Sequence, residues 1–318
     1  MRDRLFLGID TSNYTTSLAI VNEKGDCIAN LKRPLTVKSG ERGVRQSDAV
    51  FMHTVNLPTL FEEAAHYLNS ASLTAVAVSE RPRNQQGSYM PCFLSGVSAA
   101  HAASFSANVP LIKTSHQCGH IMAAVMSSGA GHMLTRSFAA FHVSGGTTEL
   151  VRVSPSESGF DADVVGGTLD LNAGQLIDRI GVLMGLDFPC GRSLELLALE
   201  NKKRVPKKKI SRSNTYVNLS GLENLAMNML SETDDKNLVS AFVLNCVADA
   251  LIDMSLAYIS EYGATDFLFA GGVMSNSIIK NRILSAGISA YFAEPELSKD
   301  NAVGVAYIAR RSFLSLGG

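Results

Sequence analysis

A short apolar run, a turn dense in hydroxyls or glycines, and a returning apolar run occur twice in this 318-residue chain. The first copy runs through residues 5–9, turns over Asp10, Thr11, Ser12, Asn13, Tyr14, Thr15 and Thr16, and returns through 17–21. The second runs through 138–143, turns over Ser144, Gly145, Gly146, Thr147 and Thr148, and returns through 149–153. Apolar runs of this length bounded by polar residues read as buried strands. Turns of this composition aim backbone N–H and hydroxyl groups at a phosphate, and paired glycines let a ligand approach bare backbone. A plain hairpin turn explains either copy alone. Recurrence in two halves of similar length predicts an internal duplication of a nucleotide-binding half-domain.

The rest of the chain alternates strand and helix signals, which predicts α/β layers. A helix is expected over 47–69, with Pro58 either interrupting it or opening a second one. Strands are expected at 74–79, 111–113 and 288–293, and helices at 92–107 and 237–259. Residues 265–276 read as strand, Gly271-Gly272, then a helix capped by Ser275 or Asn276, an arrangement that seats a nucleoside against bare backbone. The length exceeds one ordinary core, so two lobes are expected. A formal net charge of −1 supplies no global field toward nucleic acid. Five dispersed cysteines without a CxxC pair point to free thiols in a reducing compartment. The apolar run near the N-terminus is too short for a signal-peptide core, and no uninterrupted apolar stretch spans a bilayer, so a cytoplasmic protein is expected.

His116 and His120 are four residues apart in good helix-forming sequence, so both imidazoles fall on one helical face. That spacing offers two nitrogens to one metal ion. The alternative is a histidine pair hydrogen-bonded at a helix end. Gln117 stands where a zincin protease needs a glutamate base. Cys118 points to another side of the helix and is left out. Asp300, at the start of a helix expected from Ser298, is the candidate third ligand, because two imidazoles rarely hold a catalytic metal alone. Asp178 lies off the apolar face of a helix over 172–184, either as a solvated residue or as a cleft acid. Lys202, Lys203, Arg204, Lys207, Lys208, Lys209 and Arg212 put seven positive charges into eleven residues. They form either a solvated loop or a contact to RNA phosphates.

In order, these motifs resemble one family. The set is Gly8-Ile9-Asp10-Thr11-Ser12, His116 with His120, Val143-Ser144-Gly145-Gly146, Leu176-Ile177-Asp178, the 185–189 turn, Ser220-Gly221-Leu222, Ala270-Gly271-Gly272-Val273 with Asn276, and Asp300-Asn301. The chain resembles the TsaD group of the actin/hexokinase/Hsp70-like (ASKHA) fold, also labelled peptidase M22 or glycoprotease-like. The resemblance implies a two-lobed α/β fold with duplicated nucleotide-binding half-domains. The expected lobes are 1–112 and 113–318, the C-terminal helix packing back on the first. It implies transfer of a threonylcarbamoyl group from threonylcarbamoyl-AMP to N6 of the adenosine beside the tRNA anticodon. It also implies iron or zinc at His116, His120 and Asp300, an adenylate at Ser144, Gly145, Gly146, Asp178, Gly191 and Asn276, and TsaB- and TsaE-like partners. Lys202 to Lys209 are the candidate tRNA contacts.

Three departures qualify the resemblance. The family's acidic pair after its first turn is replaced by Tyr14 and Thr15. Its motif histidine is replaced by Thr147. Its Ala-Gly-Pro-Gly-Leu loop is replaced by residues 81–87. No residue is therefore assigned as the catalytic base. Two other readings follow: a catalytically impaired paralogue that binds a nucleotide or a partner, and a phosphotransferase of the same fold. The histidine pair counts against the phosphotransferase.

Overall fold

The computed structural model describes residues 3–12, 14–36, 44–68, 72–85, 87–156, 159–294 and 302–315. The chain divides into two compact units, Met1–Ser127 with Ser154–Ala162 and Glu296–Gly318, and Ser128–Val153 with Asp163–Pro295. This division departs from the expected lobes 1–112 and 113–318: residues 113–127, which carry the histidine pair, and residues 154–162 belong to the first unit.

Unit 1 is built on β1 (Arg4–Ser12), β2 (Thr15–Asn22), β3 (Cys27–Pro34), β4 (Ser72–Arg81) and β5 (Leu111–Ser115), in the sheet order β3-β2-β1-β4-β5. The first three strands form an antiparallel meander that contains the expected first pair, and β4 and β5 then add in parallel. Parallel pairing needs a covered crossover. It is provided by α1 (Gln46–Ala65) and α2 (Phe93–Ala107), with Leu57, Leu60, Ala64 and Ala100 buried against Leu7, Ile9, Leu18, Ile20, Val76 and Val78. Helix α1 runs unbroken through Pro58. The ring removes one backbone donor, a cost of about 3 kcal/mol that the helix's buried face offsets. On the opposite sheet face, α9 (Ala302–Ser315) packs Ala302, Val305, Ala306 and Ala309 against Phe6, Ala19, Val21, Ala75 and Ala77. Helix α3 (His116–Ser127) crosses α9 at Gly304, where a Cβ would overlap the Gly119 carbonyl. That close crossing explains why α3 belongs to unit 1.

Unit 2 repeats the plan. Its sheet is built on β6 (Phe138–Val143), β7 (Thr148–Ser156), β8 (Gly159–Thr168), β9 (Ser211–Ser213), β10 (Tyr216–Asn218), β11 (Phe267–Ala270) and β12 (Ala290–Phe292), the end of β7 and the start of β8 falling in unit 1. The order β12-β11-β6-β7-β8-β10-β9 contains β8-β7-β6-β11-β12, the unit 1 order in reverse listing. As in unit 1, the first pair (β6 with β7) is antiparallel and the later strands β11 and β12 add in parallel. The duplication read from two turns is thus a duplication of sheet topology. The core is closed by α4 (Ala173–Leu183), α5 (Gly191–Glu200), α6 (Ser220–Thr233), α7 (Lys236–Tyr262) and α8 (Ser277–Ser285). Helix α7 is long and apolar enough to cross a membrane by length and composition, yet 72% of its apolar window is buried within the fold. It is the central core helix of unit 2. Asp235 caps it, accepting from the Leu238 N–H at 3.0 Å.

Candidate functional site

Strand β5 ends at Ser115 and α3 begins at His116, so the histidine sits in the first helical turn at the carboxyl end of the sheet. One turn later His120 turns its Nε2 to within 2.9 Å of the His116 Nε2, the rings nearly perpendicular at 82°. Behind them, Asp10 on β1 places Oδ2 2.6 Å from the His116 Nδ1. Asp10 is 1% exposed, and its Oδ1 has no hydrogen-bond partner. A buried carboxylate accepts the Nδ1–H of His116, which leaves the Nε2 lone pair facing the His120 Nε2. A carboxylate on one ring nitrogen, with the other nitrogen turned to a second imidazole, is the backing that metal-bound histidines commonly have. Metal–nitrogen bonds are about 2.0–2.1 Å for zinc, so two nitrogens at this separation suit a single ion with small adjustment. The two donors fit a metal. Asp300 lies outside the described residues, and among the described residues no group of three or more His, Cys, Asp or Glu side chains gathers.

Cys118 is turned away as expected. It is buried, and its thiol donates to the Phe160 carbonyl at 3.0 Å. Burial and the nearby Asp10 charge push the Cys92 thiol up to about 11, so it stays protonated and is a poor nucleophile. Tyr14 is exposed and Thr15 buried at the β1–β2 turn, so neither supplies an acid there. Within unit 1, Asn84 of the replaced loop donates to Asp161 at 2.5 Å.

Unit 2 contains a cleft of about 640 Å³. Gly145, Asp178, Gly191 and Asn276 line it, while Ser144 and Gly146 flank Gly145 in the same turn. That turn closes on itself, the Ser144 N–H donating to the Thr147 carbonyl at 2.8 Å. It is fastened to the start of α4, where the Asn172 Nδ2 donates to the Gly146 carbonyl at 3.0 Å and the Thr148 hydroxyl accepts from the Ala173 N–H at 2.9 Å. Asp178 stands in the cleft wall, and its Oδ1 accepts the Cys190 N–H at 2.9 Å, pinning the segment that leads to Gly191. Of the two alternatives for Asp178, the geometry is that of the cleft acid.

The other wall is the β11–α8 connection. Gly271 has φ +105°, and any Cβ there would overlap the Val143 carbonyl at the end of β6. Only glycine tolerates both conditions. Asn276, rather than Ser275, caps α8, its Oδ1 accepting from the Ile278 and Ile279 N–H groups at 3.1 Å each. The cap commits the oxygen and leaves the Nδ2 amide for a ligand. Two further lining residues, Arg192 and Glu195, carried no signal in the sequence reading. Glu195 is engaged by the Ser277 N–H at 2.6 Å and its hydroxyl at 2.5 Å. Asp10 was likewise read only as a turn opener. Its pairing with His116 depends on strand order, which local spacing does not contain. Lys202, Lys203, Arg204, Lys207, Lys208 and Lys209 are all exposed between α5 and β9, and Lys203 pairs with Asp235 at 2.6 Å.

An antiparallel pair followed by parallel strands, built twice with helices on the sheet faces, defines the actin/hexokinase/Hsp70-like class. Solved structures agree on the fold. Component A of the (R)-2-hydroxyglutaryl-CoA dehydratase of Acidaminococcus fermentans matches with a TM-score of 0.54 at 16% identity, covering 98% of this chain and 99% of that one. A ROK family glucokinase from Streptomyces griseus matches with a TM-score of 0.52 at 12% identity, covering 96% and 99%. Within this class the chain belongs to the TsaD family, tRNA N6-adenosine threonylcarbamoyltransferase, whose family model matches residues 28–307. The tRNA N6-adenosine threonylcarbamoyltransferase of Streptococcus suis strain 05ZYH33 is 30% identical over 333 aligned residues, covering 96% of each chain. The family is one of acyltransferases.

Proposed function

We propose that the chain transfers a threonylcarbamoyl group from threonylcarbamoyl-AMP to N6 of the adenosine beside the tRNA anticodon, in the cytoplasm and with a metal ion held by unit 1. The observation that carries this reading is the Asp10–His116–His120 array, two imidazole nitrogens aimed at one point with a buried carboxylate behind them. His116 and His120 would hold iron or zinc, with Asp300 the proposed third ligand. A bound divalent ion supplies charge neutralisation at an acyl phosphate and polarisation of the adjacent carbonyl. In unit 2, the Gly145 turn and the start of α4 present backbone N–H groups suited to a phosphate. Asp178 and the Asn276 amide provide an acceptor and a donor for the nucleoside. The reaction joins the adenosine N6 to the carbamoyl carbon, breaks the bond from that carbon to the phosphate oxygen, and releases AMP and the N6 proton. Partners of the TsaB and TsaE kind belong to this proposal. So does RNA contact through Lys202 to Lys209, as a sequence-independent, salt-sensitive contribution.

The replacement of the family's acidic pair by Tyr14 and Thr15, and of its motif histidine by Thr147, favours a second reading. In it, a catalytically impaired paralogue retains nucleotide or partner binding. Single-turnover transfer of labelled threonylcarbamoyl from its adenylate to unmodified tRNA, with and without candidate partners, separates the two. Transfer that disappears in His116→Ala supports the enzyme. Adenylate and metal binding without transfer supports the paralogue.

A further inference from the structure

Deepening the transferase reading, on which it rests, we propose that unit 2 carries a separate subsite for the acceptor nucleobase, with Phe188 as its stacking platform. A second cleft, of about 520 Å³, lies against the first and shares Gly145 and Asp178 with it. Its other walls include Arg179, Val182, Phe188 and Glu223. A group transfer between two nucleosides needs two cavities that meet at the reacting atoms, because the nucleophile must reach the donor's carbonyl while both partners are held. The two clefts share Gly145, in the turn proposed to hold the donor's phosphate, so an acceptor in the second cleft lies beside the bond that breaks.

The walls select the ligand class. Phe188 sits on the segment between α4 and α5, 74% exposed, and among the described residues it stacks on no other ring. Val182, 55% exposed, adds an apolar patch from α4. An aromatic face left to solvent beside a cavity adds nothing to the core of unit 2, but it is the feature on which unstacked RNA bases are held. Arg179 and Glu223, 3.3 Å apart, supply planar donors and acceptors at the same cleft, suited to the edge of a base. Neither closes the cavity. Asp178 has its Oδ1 committed to Cys190, and its Oδ2 has no protein partner among the described residues, so the shared wall is itself polar. A free phosphate or a peptide anion is a poor fit to a cleft bearing two carboxylates and an exposed phenyl ring. A single-stranded purine is a good one.

The test uses the full chain and an anticodon stem-loop RNA carrying 2-aminopurine at the acceptor position. Stacking quenches this base, so its fluorescence reports the platform directly. Three forms are compared: the natural chain, Phe188→Leu, which keeps apolar bulk without a π-face, and Phe188→Trp, which restores one. Expected are quenching and RNA binding in the natural chain and in Phe188→Trp. In Phe188→Leu, quenching should be lost and RNA affinity should fall roughly ten- to a hundredfold, on the scale of one base–aromatic stack. AMP binding should stay unchanged throughout, since Phe188 does not line the first cleft. Equal quenching and affinity in Phe188→Leu overturns the subsite while leaving the transferase reading standing. Failure of the natural chain to bind the RNA even with the TsaB- and TsaE-like partners present overturns both.

Discussion

Asp10 and His116 are 106 residues apart in sequence and 2.6 Å apart in space, joined through a carboxylate that is almost wholly buried. The contact fixes the tautomer of His116 and so decides which nitrogen faces His120. Replacing Asp10 with asparagine keeps the shape but removes the charge that holds the Nδ1 proton. Loss of such a backing group typically costs about 10- to 100-fold in metal affinity. Titration of the metal-free protein with cobalt, read from its visible absorption, checks this. Unchanged affinity in Asp10→Asn would assign the carboxylate a purely architectural role.

His53 gives unit 1 an acid limit. It is fully buried on α1, with its Nδ1 2.8 Å from the Thr16 hydroxyl and its Nε2 without a partner. Burial holds its pKa below the ordinary value of 6.5, although the Asp10 charge and the backbone at Ser12 pull the other way. The unfolded chain therefore binds this proton more readily than the folded one. Its stabilising contribution is complete above about pH 6.5 and is lost as the pH falls from there through the lower folded value. Hydrogen-exchange protection at β1 and β2, relative to the intrinsic rate at each pH, should fall over that window, and His53→Gln should flatten the dependence. An identical pH profile in the variant would show that another group sets the limit.

Asn276 holds two roles that substitution can separate. Aspartate in its place keeps an oxygen on the Ile278 and Ile279 N–H groups and suits the helix dipole, so the melting temperature should hold. It removes the amide donor and adds a negative charge to the cleft wall, so AMP binding should weaken. Alanine should lose both functions, with about 1 kcal/mol of stability gone with the cap. Calorimetric binding beside thermal melting distinguishes the three forms, and undiminished AMP binding in Asn276→Asp would remove this residue from the ligand site.

The exposed cations between α5 and β9 predict a salt signature. If all six from Lys202 to Lys209 meet RNA phosphates, replacing them with glutamine should reduce the slope of log affinity against log salt by about 4, at roughly 0.7 per single-strand contact. Filter binding over a range of potassium chloride measures it. A slope that does not move would return the segment to a solvated loop, with Lys203 already committed to Asp235.

Much of this was legible in the residues. Period and punctuation carried most strands (though not β8, β9 or β10), the Gly145 turn and the capped start of α8, because each depends on neighbours within a few positions. What escaped depends on contacts distant in sequence. Asp10 meets His116 only because β1 lies beside β4 and β4 beside β5. Asp178 resolves into a cleft acid only once the Cys190 segment folds over it. Arg192 and Glu195 enter the cleft wall by the placement of α5, and no short pattern encodes that. Pro58 misled in the other direction, since tertiary burial of one helix face outweighs a missing backbone donor.

Helix α9 carries a consequence for the birth of the protein. It covers one face of the unit 1 sheet, yet it is the last described element, following all of unit 2 in the chain. During synthesis, Phe6, Ala19, Val21, Ala75 and Ala77 leave the ribosome long before their cover exists. Unit 2, interrupted only at residues 154–162, can assemble from one nearly continuous run while the older unit waits with an apolar face open to chaperones or to other chains. The order of completion is thus the reverse of the order of translation, and a nascent chain stalled before residue 302 would display that face for as long as the stall lasts.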